Sequence, residues 1–162
     1  NDVISGEEGK DYIYGQSGND IINGGADKDY LDGSTGSDTY IFSLGDGKDY
    51  ITDRDYNYNN TDVIAFNDDV LQEDIAIFIE GKDLKIDYGQ NDLITVNKQT
   101  KSAYGIEEIR LDNGSYLTDS DINLLVQDLT AFASDNGIHL SNVQDVKNNE
   151  DLMNIVMNAW QS

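Results

Sequence analysis

A nine-residue period organises the first part of this chain. From Gly6 the sequence divides into GEEGKDYIY, GQSGNDIIN, GGADKDYLD and GSTGSDTYI, and NDVIS before them is the back half of one more copy. Every copy has aspartate at its sixth position and a large apolar residue at its eighth. The eighth-position residues are Ile4, Ile13, Ile22, Leu31 and Tyr40. Because every copy keeps both positions, the period indicates a stack of equivalent structural units rather than a scattered acidic surface.

Each unit has the composition of a tight turn followed by a short strand. Its first part is rich in glycine, which adopts positive φ angles and lets backbone carbonyls converge on a common centre. Its last part suits a strand whose middle side chain points inward and whose neighbours point outward. Two units then complete one coil, so that each turn stacks on the turn two units later. The sequence therefore predicts a mainly β fold that begins with a parallel β-roll.

The stacked turns predict calcium sites. Between two stacked turns, backbone carbonyls and a pair of sixth-position carboxylates form an all-oxygen cage. Such a cage suits a hard cation of flexible coordination, which means Ca²⁺ rather than Zn²⁺. The expected pairs of carboxylates in the complete copies are Asp2 with Asp20, Asp11 with Asp29, and Asp20 with Asp38.

The period weakens after the fourth copy but does not stop at once. GDGKDYI keeps two glycines, the aspartate and the apolar position, and TDVI keeps the last two. These segments predict the pairs Asp29–Asp49 and Asp38–Asp62, with Asp53 as a spare ligand. The full set of predicted metal-site residues is Asp2, Asp11, Asp20, Asp29, Asp38, Asp49, Asp62, Gly6, Gly9, Gly15, Gly18, Gly24, Gly33, Gly36, Gly45 and Gly47.

The glycine pattern has departures at two positions of the unit. Glu7, Gln16 and Ser34 stand at the second position, and Asp27 stands at the fourth position of the third copy. The change at Asp27 places a Cβ atom where a positive φ angle is expected. Aspartate is among the residues that tolerate this conformation.

With its G-G-x-G-x-D pattern, this region resembles the repeats-in-toxin (RTX) family of calcium-binding proteins. The resemblance covers residues 1–64 well and the rest of the chain only loosely. It implies several bound Ca²⁺ ions and secretion from a Gram-negative bacterium. It also implies export by a type I machinery, composed of an ABC transporter and an outer-membrane channel, that recognises an uncleaved signal near the C-terminus.

The leading interpretation is a calcium-binding module that folds on Ca²⁺ after export and drives the secretion and folding of a larger protein. That protein is expected to be a toxin or cytolysin, or an iron-regulated relative. Two alternatives stay open: the end region of a giant RTX surface adhesin, and that of an exported hydrolase with its catalytic domain upstream. The chain itself is expected not to be an enzyme, because its one histidine, His139, has no serine-nucleophile motif near it.

The charge and composition of the chain restrict its partners. The 32 Asp and Glu against 10 Lys and Arg give a net charge of −22, which disfavours nucleic acid and anionic lipid. The absence of cysteine and proline leaves no disulfides and no slow prolyl isomerisation, which suits folding after export. No apolar run is long enough to span a bilayer, and the chain starts inside a repeat. A monomeric C-terminal fragment of a longer protein, without stable membrane insertion, is therefore expected.

From Val63 the nine-residue period gives way to strand and helix patterns. A hairpin is expected at EGKD, and a type I′ turn at DNGS. Helical spacing of apolar residues predicts helices over 118–133 and 148–160, with a loop between them. Short apolar segments predict strands at 63–66, 75–79, 84–88, 93–96 and 106–112.

The expected organisation has three parts. Residues 1–64 form the β-roll, 65–117 a β-rich capping segment, and 118–162 a helical tail that holds the secretion signal.

Within the first part, DRDYNYNNTDVI has the acidic and amide residues of an EF-hand calcium loop in its first half. An EF-hand requires glycine and glutamate where Tyr58 and Ile64 stand, so the motif is rejected. A linker with surface-exposed Tyr56 and Tyr58 is the favoured interpretation.

Overall fold

The first half of the protein consists of short strands that follow the repeats. The structure, a computed structural model, describes residues 1–55, 57, 59–100 and 105–162, so the predicted exposure of Tyr56 and Tyr58 lies outside the described residues. Each strand includes the apolar position of its unit, and glycine-rich turns separate the strands. These strands are β1 (Val3–Ser5), β2 (Tyr12–Tyr14), β3 (Ile21–Asn23), β4 (Tyr30–Asp32), β5 (Thr39–Phe42), β6 (Lys48–Ile51) and β7 (Val63–Phe66).

Successive strands alternate between two sheets. One sheet contains β1, β3, β5 and β7 in that order, the other contains β2, β4 and β6, and all these neighbours pair in parallel. The register places each apolar position beside the equivalent one two units later, as Ile4 beside Ile22 and Ile13 beside Leu31. The expected stacking of each unit on the second one after it is therefore observed.

The apolar position of each unit supplies the interior between the sheets. Ile22, Leu31, Tyr40, Ile51 and Ile64 are all buried. Because side chains alternate across a strand, their neighbours face outward. Of the three-residue strands, β2, β3 and β4 bury one side chain each and β1 buries Ile4 only in part, which makes the repeat core thin.

Part of the outer surface is covered by an aromatic stack. Tyr12, Tyr30 and Tyr50 lie on neighbouring strands of the second sheet, with ring centroids 5.0 and 5.1 Å apart. The ammonium groups of Lys10 and Lys28 lie between 4.5 and 5.4 Å from these ring centroids. An aromatic pair contributes about 0.5–1.5 kcal/mol beyond its buried area. The recurring KDY triplet therefore supports the stack of coils from outside.

The following strands extend both sheets, and every one except the last, which was not predicted, matches a predicted strand to within two residues at each end. The additional strands are β8 (Ala76–Glu80), β9 (Asp83–Asp87), β10 (Leu93–Val96), β11 (Glu108–Leu111) and β12 (Tyr116–Thr118). Strand β10 pairs in parallel with β6, and β9 and β8 follow it in antiparallel order. Strand β11 pairs in parallel with β7 and antiparallel with β12. The predicted EGKD hairpin is confirmed, because Glu80 pairs with Asp83.

The type I′ turn predicted at DNGS is wrong. The N–H of Gly114 donates to the carbonyl of Leu111, and the N–H of Leu111 donates to the carbonyl of Ser115. Gly114 takes a positive φ of 91°, whereas Asn113 does not have a positive φ. A type I′ turn requires positive φ at both central residues, so this connection is a three-residue hairpin loop that ends in a glycine bulge.

Three helices close the chain: α1 (Asp119–Asp135), α2 (Val143–Lys147) and α3 (Glu150–Ala159). The expected cap of α1 is confirmed, since Thr118 and Asp121 form a reciprocal capping box. The loop predicted between the two long helices is wrong over Val143–Lys147. Asn142 caps this short helix, and its two valines are buried; the N-x-x-D spacing before an apolar pair was the available signal.

The helices share one hydrophobic core with the strands. Ile122 and Leu129 of α1, and Leu152 and Val156 of α3, are buried in the same cluster as the repeat residues. The chain is thus mainly β, with two mostly parallel sheets and C-terminal helices, as predicted. Within the described residues, no helix is both long enough and apolar enough to cross a bilayer.

Candidate metal centre

The sixth-position aspartates form two rows, one along each sheet. In each row, Oδ1 of one aspartate accepts a hydrogen bond from the backbone N–H of the aspartate one coil earlier. The donor–acceptor distances are 2.6 Å for Asp2 to Asp20, 2.8 Å for Asp11 to Asp29, 2.7 Å for Asp20 to Asp38, 2.8 Å for Asp29 to Asp49 and 2.8 Å for Asp38 to Asp62. The structure therefore brings together all five pairs that the sequence predicted.

The second oxygen of most of these carboxylates is left without a partner. In both rows Oδ2 is buried and accepts no hydrogen bond, at Asp11, Asp20, Asp29, Asp38 and Asp49. A buried polar atom without a partner costs free energy, and a carboxylate more than a neutral group. A hard cation at each turn satisfies these oxygens, so the donor set fits Ca²⁺.

The first glycine of each unit is required by this arrangement. A Cβ atom at Gly15 would lie 2.8 Å from Oδ2 of Asp20, and one at Gly33 would lie 2.7 Å from Cγ of Asp38. The carboxylate of each unit therefore folds back over its own first residue. Any side chain there would displace the carboxylate from the turn.

The residues that replace glycine adopt its backbone conformation. Glu7, Gln16 and Ser34 each have a φ of 74°, and Asp27 has a φ of 91°. The positive φ expected at Asp27 is confirmed. Such angles cost a residue with a Cβ about 1–2 kcal/mol, so the stacking of the turns holds these positions in place.

Burial increases from the start of the repeats towards their end. Asp2 is exposed and Asp11 is half-buried, whereas Asp20, Asp29 and Asp38 are fully buried. The predicted ligands in the first two units are thus less buried than those that follow. Those in the middle are enclosed by coils on both sides.

Two carboxylates outside the repeats complete the rows, and the sequence analysis did not identify them. Oε2 of Glu107 accepts the N–H of Asp62 at 2.8 Å, as a sixth-position aspartate would. Oδ2 and Oδ1 of Asp92 accept the N–H groups of Gly45 and Gly47 at 3.0 and 3.1 Å. The signal for Glu107 was its place two residues before Ile109, the spacing of acid and apolar residue in the repeats.

Burial makes several carboxylates near the end of the repeats hard to ionise. It raises the pKa of Asp49 to about 7 and that of Asp62 to about 8, and neighbouring carboxylates add to both shifts. Burial also raises the pKa of Asp53 to about 7, and that of Asp46 to about 6. Charged carboxylates in this environment need a compensating cation.

Comparison with known proteins agrees with this geometry. Residues 5–40 and 16–51 match the RTX calcium-binding nonapeptide repeat, in four copies. Over 100 residues the chain is 39% identical to iron-regulated protein FrpA of Neisseria meningitidis serogroup C; the match covers 57% of this chain and 9% of FrpA. The chain thus spans a small part of the length of this relative.

The fold and the two rows of carboxylates together define this chain as a calcium-binding repeat protein. The repeats are those of the RTX family: the chain carries an RTX calcium-binding region and binds Ca²⁺ at several sites. RTX repeats are a calcium-binding module rather than a catalytic one.

Proposed function

We propose that this chain is a calcium-dependent folding module of a larger secreted protein, and that its two sheets are the walls of one parallel β-roll. The observation that carries the proposal is the row of buried, unpaired Oδ2 atoms on the sixth-position aspartates. One Ca²⁺ ion between stacked turns supplies the partner that these atoms lack. Binding to the folded state alone then stabilises it by RT ln(1 + [L]/Kd) at each site.

Without calcium the folded chain is opposed by its own charge. The net charge is −22, and the rows place carboxylates one coil apart with few cations between them. Extracellular modules bind calcium at about 10⁻⁴–10⁻³ M. At the much lower calcium concentration of the cytosol the repeats stay unfolded, and they fold cooperatively outside the cell.

An unfolded chain suits export through a narrow conduit. In this proposal a type I machinery, with an ABC transporter and an outer-membrane channel, exports the protein from a Gram-negative cell, and the folded module cannot slide back. The RTX repeats and the match to a small part of the much longer FrpA support a place within a long polypeptide, and in this proposal that polypeptide is an exported toxin or cytolysin with the module at its C-terminal end. The strands β8–β12 then cap the last coil, whose edge would otherwise be exposed.

A calcium titration tests the proposal. Far-UV circular dichroism of residues 1–162 should show a disordered chain in excess chelator and a cooperative gain of β structure as Ca²⁺ rises. Mg²⁺ at the same concentrations is the control, because it demands octahedral geometry and gives up its water reluctantly. A β signal already complete in chelator would contradict calcium-dependent folding.

A further inference from the structure

One buried carboxylate near the repeats lies outside the sixth-position pattern. Asp53 follows β6 and is almost wholly buried, with an exposed fraction of 1%. Asp38, Asp53 and Asp62 each present one carboxylate oxygen, and the three oxygens lie within 4.8 Å of one another. Within the described part of the chain, this is the one group of three metal-ligating side chains at such short range.

The hydrogen bonds of this group leave two oxygens free. Oδ1 of Asp38 accepts from the N–H of Asp20, and Oδ1 of Asp62 accepts from the N–H of Asp38. Oδ2 of Asp38 and Oδ1 of Asp53 are buried with no hydrogen-bond partner. Both atoms belong to side chains that are almost wholly buried, and buried carboxylate oxygens without a hydrogen-bond partner are suited to bind a cation.

A tyrosine fixes the orientation of Asp53. Tyr40 stands at the apolar position of its unit, where earlier units have isoleucine or leucine, and it is fully buried. Its hydroxyl accepts the N–H of Gly33 at 2.7 Å and donates to Oδ2 of Asp53. With Oδ2 held by Tyr40, Oδ1 of Asp53 is the atom left for a ligand.

The three carboxylates come from both sheets. Asp38 and Asp62 precede β5 and β7 of the first sheet, whereas Asp53 follows β6 of the second. An ion bound by the two sixth-position carboxylates alone would join neighbouring turns of one row. An ion that also binds Asp53 joins the two sheets where the repeats end.

We propose that Asp38, Asp53 and Asp62 form a three-carboxylate calcium site, with Tyr40 as its positioning residue, and that this site binds Ca²⁺ before the two-carboxylate turns. The inference rests on the proposed calcium-binding function and deepens it. Calcium affinity rises with the number of charged ligands and the rigidity of the site. The third carboxylate and the fixed tyrosine supply both.

Calorimetric titration of the full chain with Ca²⁺ tests the order of binding. The substitution Asp53→Asn removes the charge but keeps an oxygen that can accept from Tyr40. We expect the tightest site to weaken by about tenfold or more, while the remaining sites still fold the chain at saturating Ca²⁺. Asp68→Asn, in an exposed loop, is the matched control and should leave the titration unchanged.

Terbium luminescence is a second readout that does not depend on the folding of the Asp53 variant. Tb³⁺ replaces Ca²⁺ in oxygen cages, and a nearby phenol ring excites its emission. The first equivalent of Tb³⁺ should give tyrosine-sensitised emission in the wild type, and Tyr40→Phe should remove most of it. Tyr14→Phe, on the exposed outer face, should not.

The outcomes separate this inference from the proposed function. If the wild type folds with Ca²⁺ but Asp53→Asn keeps its tightest site, the three-carboxylate site is wrong and the repeat sites stand. If the first Tb³⁺ emission survives Tyr40→Phe, the first site lies elsewhere and the inference is also wrong. If the wild type binds no Ca²⁺, both proposals are wrong.

Discussion

At the scale of single residues, four sixth-position aspartates use their two oxygens differently: Asp20, Asp29, Asp38 and Asp49. Oδ1 accepts a backbone N–H and holds one coil to the next, as Asp38 does for Asp20. Oδ2 remains free for a cation. A neutral amide can keep the first role but not the second, because it lacks the negative charge. Substitutions to asparagine therefore separate coil stacking from calcium binding.

This division predicts unequal effects along the row. Asp20→Asn should raise the calcium concentration at the midpoint of folding by about tenfold, since Asp20 is enclosed by coils on both sides. Asp11→Asn should raise it less, because Asp11 is only half-buried. Circular dichroism across a calcium titration measures both midpoints. Asp128→Asn, on the exposed face of α1, is the control, and equal midpoints in all three variants would refute a site-specific role.

The glycines offer a second test at this scale. Gly36 and Gly45 both have a positive φ, of 136° and 94°. A Cβ atom at Gly36 would overlap the carbonyl of Gly18, whereas one at Gly45 meets open space. Gly45→Ala should therefore cost about 1–2 kcal/mol of folding free energy, and Gly36→Ala clearly more. Urea unfolding in saturating Ca²⁺ measures the difference; similar losses would mean that coil spacing is not tight.

At the scale of elements, sequence reasoning succeeded where one local pattern decides the structure. The repeat strands follow from glycine turns and one apolar position, and the α1 cap follows from Thr118 and Asp121. It missed Asp92 and Glu107 because an acid two residues before an apolar residue does not by itself show which strand lies beside it; their places depend on the register of β10 on β6 and β11 on β7. It missed helix α2 because the stability of so short a helix comes from packing rather than from propensity.

The terminal helix illustrates how packing and recognition can share one element. Leu152 and Val156 of α3 are buried in the core, so the helix has a structural role whatever else it does. The exposed residues of α3, Asn154 and Asn158 among them, face solvent. A proposed export signal in α3 therefore has side chains at its disposal that the packing of the helix does not use.

Removal of residues 149–162 should abolish secretion by a type I exporter, whereas the repeats should still bind Ca²⁺, at a higher concentration because the truncation also removes the core residues Leu152 and Val156. Leu152→Ala is the control for packing: it should cost about 2–5 kcal/mol of stability but leave the recognition segment in place and secretion intact. Quantitative immunoblots of culture supernatant and cells, with a calcium titration of the purified chains, measure both effects. Normal secretion of the truncated chain would assign α3 to packing alone.

At the scale of the whole molecule, acidity and fold are coupled through buried carboxylates. The net charge of −22 could be read from the sequence, but the burial of particular carboxylates could not. Asp53 and Asp62 lie in the same linker region of the sequence as the exposed Asn57, yet both are almost fully buried. Their burial arises from coils that stack from distant parts of the chain.

This coupling predicts that acid partly replaces calcium. The folded-state pKa is raised to about 7 for Asp49 and Asp53 and to about 8 for Asp62, above the ordinary value near 3.8. The calcium-free folded chain therefore holds more protons than the unfolded chain, so its stability is greatest at low pH. That stability is lost as pH rises from about 4 through 7 to 8.

In calcium-free buffer, circular dichroism should show structure gained as pH falls from 8 to 5. Over the same interval the calcium concentration at the folding midpoint should fall, because protonation already stabilises the calcium-free fold, whereas the carboxylates of the unfolded chain stay ionised and give up no protons when Ca²⁺ folds it. A chain with Asp49→Asn, Asp53→Asn and Asp62→Asn together lacks these titrating groups and should show a much smaller pH response without calcium. Loss of structure in the calcium-free wild type on going from pH 8 to 5 would show that these buried carboxylates do not control folding.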